Sequence, residues 1–399
     1  MNPHLRNVAV PNDWDRRGLP GWAYHSQAFL ELEKEHLFRS HWQIAGHVSD
    51  VPNEGDYLTI DVVGERALIV RGKDGIVRGF HNLCRHRGSR VVADSQGTCK
   101  NALVCPFHGW VYNLDGTLRG AARPRSFPDL DKTEFGLMPL DLEIWNGFIF
   151  FRFRHGPQPS VAELLKPIEA ELAHYRAADM VPSWGIWTQK TPVNWKSVRD
   201  VDNEGYHVAM AHPALQDLYG ATYFDEPFVN GVSRSYATYN PHAGRRWSVK
   251  KYIDIAPVPA ELPESLQRAW LYYGIFPNMV IAATPEGVQF YQEFPLSTSE
   301  TLLRGAIYRY REESREQAAA RYLAFRIDRD TMAEDVQLSV WSNESMLSDA
   351  FSGFYLSDLE YGVRTHHDHV RALIPVAGLL EAPEEKDMWN LNEAMRSQL

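Results

Sequence analysis

Two short segments, each with one cysteine and one histidine, constrain the fold of this chain more than any other feature. They are CRHRG at 84–88 and CPFHGW at 105–110. Each segment follows a strand-like run and contains a glycine one or two residues after its histidine, so two turns of a small β-structure can bring the side chains together. These side chains are predicted to bind one metal centre jointly: Cys84, His86, Cys105 and His108.

The mixture of ligand types distinguishes between metals. Zinc fingers use halves of like ligands, Cys-x(2–4)-Cys and then His-x(3–5)-His, whereas each half here combines a thiolate with an imidazole. Mixed halves fit a [2Fe–2S] cluster in which two cysteines hold one iron and two histidines hold the other. The neutral imidazoles raise the reduction potential, so such a cluster accepts electrons from ordinary ferredoxins. Zinc, or four residues with unrelated roles, is the alternative.

The residues around these segments predict an all-β module. From about Gly46, short β-branched runs such as DYLTIDVV and RALIVRG alternate with turns that contain Gly or Asp, and the pattern continues to Phe153. Residues 45–155 are therefore predicted to form this module. Cys99 lies between the two segments, matches no ligand position and is interpreted as a structural thiol.

The remainder of the chain combines helices with an antiparallel sheet. Residues 28–41 have helical periodicity, so residues 1–44 are predicted to be a helical segment that packs on the second half of the chain. Residues 156–399 contain long alternating runs, such as YYGIFPNMVIAATPEGVQFYQEFPL, and helical stretches in 313–345 and 357–373. This half is predicted to be α+β, with the sheet and the helices segregated.

Composition and charge exclude several classes of function. Hydrophobic residues at 44% and charged residues at 23% are typical of globular domains, and a length of 399 favours at least two of them. The net charge of -10 argues against nucleic-acid binding. The N-terminus lacks a signal peptide, and the most apolar run, IWNGFIFFRF, is about half a membrane span, which predicts a cytosolic protein. No GxGxxG or P-loop motif occurs, so a separate reductase must supply electrons.

A second candidate site is DNEGYHVAMAH at 202–212, in which His207 and His212 are five positions apart. On an ideal helix five residues turn about 500°, so the two side chains would point about 140° apart. They can share one metal only if the helix ends or widens between them, and Pro213 favours an end there. Two histidines and a carboxylate form the facial triad typical of non-haem Fe(II). Taken alone, the stretch is better explained by two unrelated histidines near a helix end.

Together these segments resemble a known family over nearly the whole chain. CRHRG…CPFHGW resembles the Rieske iron–sulfur motif, and its place before a larger α+β half is similar to the oxygenase α-subunit of Rieske non-haem iron oxygenases. NWK at 194–196, followed by carboxylate-x-Tyr-His-x(4)-His, resembles the iron-binding segment of that family. DTMAEDVQLSV at 330–340 resembles the helix with the third ligand, and LSDLEYGVRTHHDHV at 357–370 resembles the closing helix.

The resemblance implies which residues hold a mononuclear iron. It assigns Fe(II) to His207, His212 and Asp335, with Glu334 and Asp330 as less favoured substitutes for Asp335. Iron held in this way would use O2 as a co-substrate.

The resemblance also gives a role to Glu204, which would share the face of His207 if both lie on one helix. The family has a carboxylate here, usually Asp, that bridges an iron-binding histidine to a Rieske histidine of the next subunit. The bridge would join His207 to His108 or His86 of the neighbour, and Glu recurs here among relatives that oxidise quaternary ammonium compounds. Asp200 and Val201 depart from the Asp-Asn pair that relatives often carry at these positions.

The implied architecture is α+β, with an all-β Rieske [2Fe–2S] domain and a helix-grip (START-like) catalytic domain whose antiparallel sheet surrounds a long helix. The implied protein is a terminal oxygenase component, a homotrimer that receives NAD(P)H-derived electrons from a separate reductase or ferredoxin and hydroxylates a small organic molecule. Oxidative N-demethylation of a betaine-like quaternary ammonium compound is favoured. The alternatives are aromatic ring hydroxylation or O-demethylation with the same metals, and electron transfer without oxygenase chemistry.

Two further features are interpreted as structural. HHDH at 366–369 resembles a metal-binding tract but is placed at the polar end of a helix, which predicts solvated histidines. The 12 Trp and 18 Tyr could form a cage for a cationic substrate, but aromatic residues are also ordinary core residues.

Overall fold

The structure is a computed structural model in which residues 10–398 are described. Two compact units are present, one formed by residues 38–162 and the other by the preceding segment together with the residues from 163 onward. The first nine residues of the predicted segment 1–44, and Leu399, lie outside the described residues. None of the helices within the described part has the length and apolar character needed to cross a bilayer.

The unit of residues 38–162 is built from ten short strands. They are β1 (Gln43–His47), β2 (Asp56–Val62), β3 (Glu65–Arg71), β4 (Val77–His81), β5 (Gln96–Thr98), β6 (Leu103–Val104), β7 (Val111–Tyr112), β8 (Leu118–Gly120), β9 (Asp141–Trp145) and β10 (Phe148–Arg152). They pair in three sheets with the orders β1-β10-β9, β4-β3-β2-β5 and β6-β7-β8. All of the pairings are antiparallel, as expected for strands that follow one another through short turns.

Two-residue turns set the register of two hairpins in this unit. Asn146 and Gly147 join β9 to β10 with φ values of +47° and +87°, and Val63 and Gly64 join β2 to β3 with +47° and +82°. Positive φ at both positions is the type I′ geometry, whose twist matches that of the strands. Asn-Gly is a common sequence for this turn, whereas a β-branched Val at positive φ is unusual and is held by the pairing on both sides.

The other unit contains a sheet of eight strands. They are β11 (Val181–Pro182), β12 (Trp187–Thr191), β13 (Phe224–Val229), β14 (Val232–Thr238), β15 (Ala269–Ile275), β16 (Met279–Thr284), β17 (Gly287–Pro295) and β18 (Thr301–Arg309). The order is β11-β18-β17-β16-β15-β14-β13, with β12 also paired to β18. The central strands are buried along nearly their whole length because helices cover the sheet.

The α-helices of the described chain complete the fold. They are α1 (Gln27–Glu33), α2 (Val161–Leu164), α3 (Lys166–Ala173), α4 (Trp195–Asp202), α5 (Val208–Ala211), α6 (Pro213–Tyr219), α7 (Trp247–Ile255), α8 (Arg315–Ser345), α9 (Tyr361–Leu373) and α10 (Glu385–Arg396). The longest, α8, begins with a reciprocal capping box between Ser314 and Gln317. It packs against α4, α6 and α7, and this contact places the helix beside the residues predicted to bind iron.

A buried ion pair ties α1 to α4. Asn194 caps α4, and two residues later the Lys196 ammonium lies 2.6 Å from a Glu33 carboxylate oxygen. The second oxygen of Glu33 accepts a hydrogen bond from the Trp195 indole at 3.1 Å. Both charges are buried, so removal of either one would leave its partner unpaired in the core.

The predicted solvation of HHDH was wrong for its first two histidines. His366 and His367 lie on α9 and are buried, because this helix packs against β13 and not at the surface. The Nε2 of His366 is 2.9 Å from the carbonyl oxygen of Pro277, and the Nε2 of His367 is 2.9 Å from the Asp200 carboxylate. The first two histidines of the tract are core residues with internal partners.

Candidate active site

The two Cys/His segments form loops of the same design. The glycine four residues after each cysteine has positive φ, +74° at Gly88 and +68° at Gly109, a conformation that favours glycine. Each glycine N–H donates to the carbonyl of its cysteine, at 2.9 Å for Cys84 and 3.0 Å for Cys105. Each cysteine N–H in turn donates to the carbonyl of the residue after the glycine, at 2.7 and 2.8 Å. The loops thereby hold their side chains in a fixed arrangement.

The thiols of this site lie inside the unit and the imidazoles lie towards its surface. Cys84 and Cys105 are each 2% exposed and belong to one buried cluster. His86 and His108 meet edge to face, with ring centroids 4.7 Å apart, and His108 is exposed. Because like ligands face each other, the site has a sulfur end and a nitrogen end, which fits a two-iron cluster with one iron at each end.

Aromatic residues surround the ligands of this site. The Tyr112 hydroxyl lies 3.3 Å from the Cys84 sulfur and accepts the N–H of Arg85 at 3.0 Å. Its own proton is therefore free to point at the sulfur. The Trp110 ring stacks on His86, with centroids 5.1 Å apart and planes 8° from parallel. Hydrogen bonds to cluster sulfurs and a hydrophobic surround are the features that tune the potential of such a cluster.

The helix break predicted before Pro213 is confirmed. Helix α5 ends at Ala211, His212 has the non-helical angles φ −119° and ψ 80°, and α6 begins at Pro213. His207 stands at the other end, as the residue before α5. This geometry turns the two rings towards each other and leaves their Nε2 atoms 3.0 Å apart.

Asp335 on α8 completes a cluster of three. Its Oδ1 lies 2.8 Å from the Nε2 of His212 and 3.4 Å from the Nε2 of His207. Neighbouring ligands of an octahedral ion with bonds of about 2.1 Å are about 3 Å apart, so these spacings fit one triangular face of an octahedron. Within residues 10–398 this is the one cluster in which three such ligand atoms converge.

The electrostatics of this cluster favour a cation. Asp335 Oδ1 is buried and, despite the short distances, accepts no hydrogen bond of normal geometry. Burial lowers the pKa of His207, but Asp335 and Glu204 outweigh it and raise that pKa to about 10. The residues therefore stabilise positive charge at the point where their ligand atoms meet. Two imidazoles and one carboxylate with open space beside them fit non-haem Fe(II).

Each histidine has a carboxylate on its outer nitrogen. The Nδ1 of His207 contacts Glu204, whose other oxygen accepts the Tyr206 N–H at 2.5 Å. The Nδ1 of His212 is 2.9 Å from Glu334. Carboxylates in this position fix the tautomer and keep the other nitrogen directed at the metal.

These contacts change two expectations. Glu204 is buried in the turn between α4 and α5, so it does not share a helix with His207, yet its side chain still reaches that ring. Glu334, the expected substitute for Asp335, orients His212 from the far side. Asp330, the other expected substitute, is paired with Arg329.

The cluster faces a cavity of 640 Å³. Helix α8 contributes one face, because its lining residues recur at spacings of three and four: Tyr322, Phe325, Asp328, Arg329, Thr331, Met332, Asp335, Val336 and Ser339. The sheet contributes Tyr272 and Gln289, which lie on either side of Ala282 in register across β15, β16 and β17. Several aromatic residues interpreted as core residues line this cavity.

A buried arginine pairs with two carboxylates of the cavity lining, and sequence analysis missed it. Arg199 lies 2.7 Å from Asp202 on the same helix and 3.5 Å from Glu293 on β17, and both of these carboxylates line the cavity. The spacing of Arg199 and Asp202 by three on α4 was the available signal. Asp200 points elsewhere, towards the Tyr24 hydroxyl at 2.6 Å.

Comparison with protein families gives two matches. The model described as "Ring hydroxylating alpha subunit (catalytic domain)" matches residues 171–375, and the one described as "Rieske [2Fe-2S] domain" matches residues 41–132. The second match contains both Cys/His loops, and the first contains the three converging ligand atoms.

Curated relatives match about half of the chain. This chain is 34% identical over 202 residues to the carnitine monooxygenase oxygenase subunit of Escherichia coli (strain K12). The aligned region covers 50% of this chain and 53% of that protein. The chain is 35% identical over 200 residues to the glycine betaine monooxygenase oxygenase subunit of Pseudomonas aeruginosa (strain UCBPP-PA14), covering 49% and 45%. The chain thus spans about half the length of the curated relatives it matches.

Solved structures share the fold along most of the chain. The quaternary ammonium Rieske monooxygenase CntA, in complex with an inhibitor, superposes with a TM-score of 0.74 at 24% identity, over 92% of this chain and 96% of that one. This similarity confirms the predicted fold class, a Rieske domain with a catalytic domain of helices and antiparallel sheet.

Proposed function

The chain belongs to the family of ring-hydroxylating α-subunits, and we propose that it is the terminal oxygenase component of a system that hydroxylates a small organic molecule. The predicted cofactors are those of its two domains, a Rieske [2Fe–2S] cluster and a mononuclear iron that uses O2. The resemblance inferred from the Cys/His loops and the His/Asp residues is confirmed at the level of the family.

One observation carries this proposal. The ligand atoms of His207, His212 and Asp335 converge beside a cavity of 640 Å³, large enough for a small organic molecule. An electron carrier needs its cluster but no second metal beside a cavity, so this feature favours an oxygenase over the electron-transfer alternative.

We assign the residues as follows. Cys84 and Cys105 would hold one iron of the cluster, and His86 and His108 would hold the other. The mononuclear iron would be held by His207, His212 and Asp335, where it would supply the activation of O2. Glu204 and Glu334 orient the two imidazoles and keep the proton of each on Nδ1.

Glu204 would also transfer electrons between subunits. Its carboxylate already contacts the Nδ1 of His207, and a bridge to a Rieske histidine of a neighbouring subunit would complete the route. This role requires a ring of subunits, and we propose a homotrimer. The electrons would come from NAD(P)H through a separate reductase or ferredoxin, in the cytoplasm.

The proposed substrate is a small quaternary ammonium compound. The relatives named above are carnitine and glycine betaine monooxygenase subunits, and the cavity is lined by tyrosines and carboxylates, which suit an organic cation. With O2, two electrons and two protons, one N-methyl group becomes N–CH2OH and the second oxygen atom leaves as water. The hydroxyl group then loses its proton as the C–N bond breaks, releasing formaldehyde, the tertiary amine and H+.

A formaldehyde-release screen tests this proposal. The iron-loaded protein with a compatible reductase is supplied with betaines, choline and methoxyaromatics, and formaldehyde and the remaining products are measured. Formaldehyde with a demethylated amine is expected. A diol or phenol would favour ring hydroxylation, and formaldehyde from methoxyaromatics alone would favour O-demethylation. About two irons per chain with no product, in place of about three, would favour the electron carrier.

A further inference from the structure

Five carboxylates line the cavity: Asp202, Glu204, Glu293, Asp328 and Asp335. Two of them lie beside one guanidinium, since Arg199 is 2.7 Å from Asp202 and 3.5 Å from Glu293. These two carboxylates therefore have a cationic partner within the protein.

Two more of these carboxylates belong to the metal centre. Glu204 contacts the Nδ1 of His207, and Asp335 contacts the Nε2 atoms of both histidines. Among the described lining residues, Asp328 is thus the carboxylate that has neither a basic side chain nor a proposed metal beside it.

The contacts of Asp328 are with neutral groups. Its Oδ2 accepts a hydrogen bond from the Gln289 amide at 3.0 Å, and its Oδ1 accepts one from the Tyr272 hydroxyl at 3.4 Å. Two neutral donors only partly replace the hydration of a carboxylate, and burial raises the pKa of Asp328 to about 7. A cation in the cavity would stabilise its ionised form.

The nearby arginine does not neutralise Asp328. Arg329 also lines the cavity, but its guanidinium pairs with Asp330 at 2.7 Å, and 58% of its side chain is exposed. Asp328 and Asp330 flank Arg329 in sequence, and the guanidinium forms its ion pair with Asp330.

Aromatic groups lie around the same carboxylate. The Tyr272 hydroxyl is 3.3 Å from that of Tyr219, and Tyr291 also lines the cavity, two residues along β17 from Gln289. A carboxylate together with aromatic rings is the combination that attracts an organic ammonium, through charge and through the ring faces.

The position of Asp328 relates this combination to the chemistry. Asp328 and Asp335 are seven residues apart on α8, which is two helical turns or about 10 Å along the axis on the same face. Thr331 and Met332 face the cavity between them. The space between the two carboxylates therefore suits a small cation whose methyl groups point towards the ligand atoms of the metal centre.

We propose that Asp328 is the residue that recognises the ammonium group of the substrate, with Tyr219 and Tyr272 beside it. This rests on the proposed function, because it takes the substrate to be a quaternary ammonium compound. Asp328 then determines specificity: it selects the charged nitrogen and positions its methyl groups, and it takes no part in bond breaking.

The test compares choline with its neutral carbon isostere, 3,3-dimethylbutan-1-ol, by calorimetric titration of the iron-loaded protein. The wild type should bind choline about tenfold or more tightly than the isostere, and Asp328→Asn should remove this preference. Glycine betaine, which has the same ammonium group, should lose affinity in parallel. Asp330→Asn, two residues away and outside the cavity lining, is the matched control and should keep the preference.

Two results would overturn the inference. One is Asp328→Asn with normal iron content and an unchanged preference for choline. The other is a wild type that does not distinguish choline from the isostere. If formaldehyde is still released from betaine in either case, the proposed function survives without Asp328. If no quaternary ammonium compound binds or reacts, while a methoxyaromatic does, the proposed substrate falls together with the inference.

A pH series on the wild type keeps the test decisive if Asp328→Asn does not fold. Choline affinity should fall below pH 7, by up to about tenfold per unit, while that of the isostere stays constant, because the carboxylate gains a proton there. The groups around Asp328 are the neutral Tyr219, Tyr272, Gln289 and Tyr291, and the acidic Asp202 and Glu286 raise its pKa. Choline affinity that does not change between pH 5 and 8 would contradict the role of Asp328.

Discussion

The Cys/His site and the His/Asp site are built from very different amounts of chain. The first lies within residues 84–109, where two loops of one design each supply a cysteine and a histidine ahead of a glycine at positive φ. The second brings His207 and His212, on either side of a four-residue helix, to Asp335 on a separate 31-residue helix. The Cys/His site, here called the compact site, depends on local turns. The His/Asp site, here called the dispersed site, depends on the packing of α8 beside the helix break between α5 and α6. Its histidine ligands also need outer carboxylates to hold their orientation.

The largest effect should come from breaking the dispersed site. His207→Ala should lower the iron content from about three to about two per chain and abolish turnover, because it removes one of the three converging ligands. The visible absorbance of the Rieske cluster should be unchanged. Iron analysis, absorbance and product formation check this, with the exposed His242→Ala as control. Full turnover in His207→Ala would contradict the assignment of the mononuclear iron.

The next effect concerns the connection between the sites. Glu204→Gln should keep both metals, because the amide oxygen can still accept from His207, but should slow oxidation of the reduced cluster by about 10–100-fold. Stopped-flow absorbance measures that rate. Glu204→Asp, which restores the charge, should recover most of it. A glutamine variant as fast as the wild type would show that electrons do not cross at Glu204.

A smaller effect is expected from the outer carboxylate of His212. Glu334→Ala leaves the ligands in place but frees the imidazole to rotate, so iron affinity should fall about tenfold. Competition with a chelator measures this affinity. The exposed Glu344→Ala on the same helix is the matched control and should bind iron as the wild type does. Equal affinity in all three proteins would mean that packing alone orients His212.

The smallest effect should be found at the compact site. Tyr112→Phe removes one hydrogen bond to the Cys84 sulfur, worth about 1 kcal/mol, and should lower the one-electron potential of the cluster by about 40 mV. Redox titration followed by absorbance measures it, with Tyr57→Phe in the same core as control. An unchanged potential would show that the loops fix the cluster without help from Tyr112.

The compact site could be predicted because its information is local. Cysteine, histidine and glycine stand at fixed offsets within each loop, and the glycines occupy the positive φ that the turns require. The ligand types favoured a mixed cluster over zinc, and the match to the Rieske [2Fe-2S] domain agrees.

The dispersed site was predicted less completely. Pro213 correctly indicated the break after Ala211, but the choice of Asp335 over Glu334 rested on resemblance, since both lie close together on one helix. Only the packed structure shows that Glu334 reaches the outer nitrogen of His212. Periodicity does not reveal such a contact, because it depends on how two helices meet.

Long-range packing also explains the failures. The polar residues of HHDH did not indicate that α9 packs against β13 and buries His366 and His367. Asp328 was overlooked because an isolated aspartate on a charged helix is usually solvated. Asp328 differs from a solvated aspartate because it faces the sheet, where Tyr272 and Gln289 are brought into register through Ala282.

Helix α8 fixes the separation between the proposed substrate-binding carboxylate and the metal ligand. If Asp328 binds the charged nitrogen and Asp335 holds the metal, the distance between these two carboxylates is set by two turns of one rigid helix. A longer quaternary ammonium compound bound at the same point would still be oxidised at an N-methyl group, whatever the length of its tail. One residue inserted between the two aspartates would rotate Asp328 by about 100° away from Asp335, so the two carboxylates would no longer share one face of the helix.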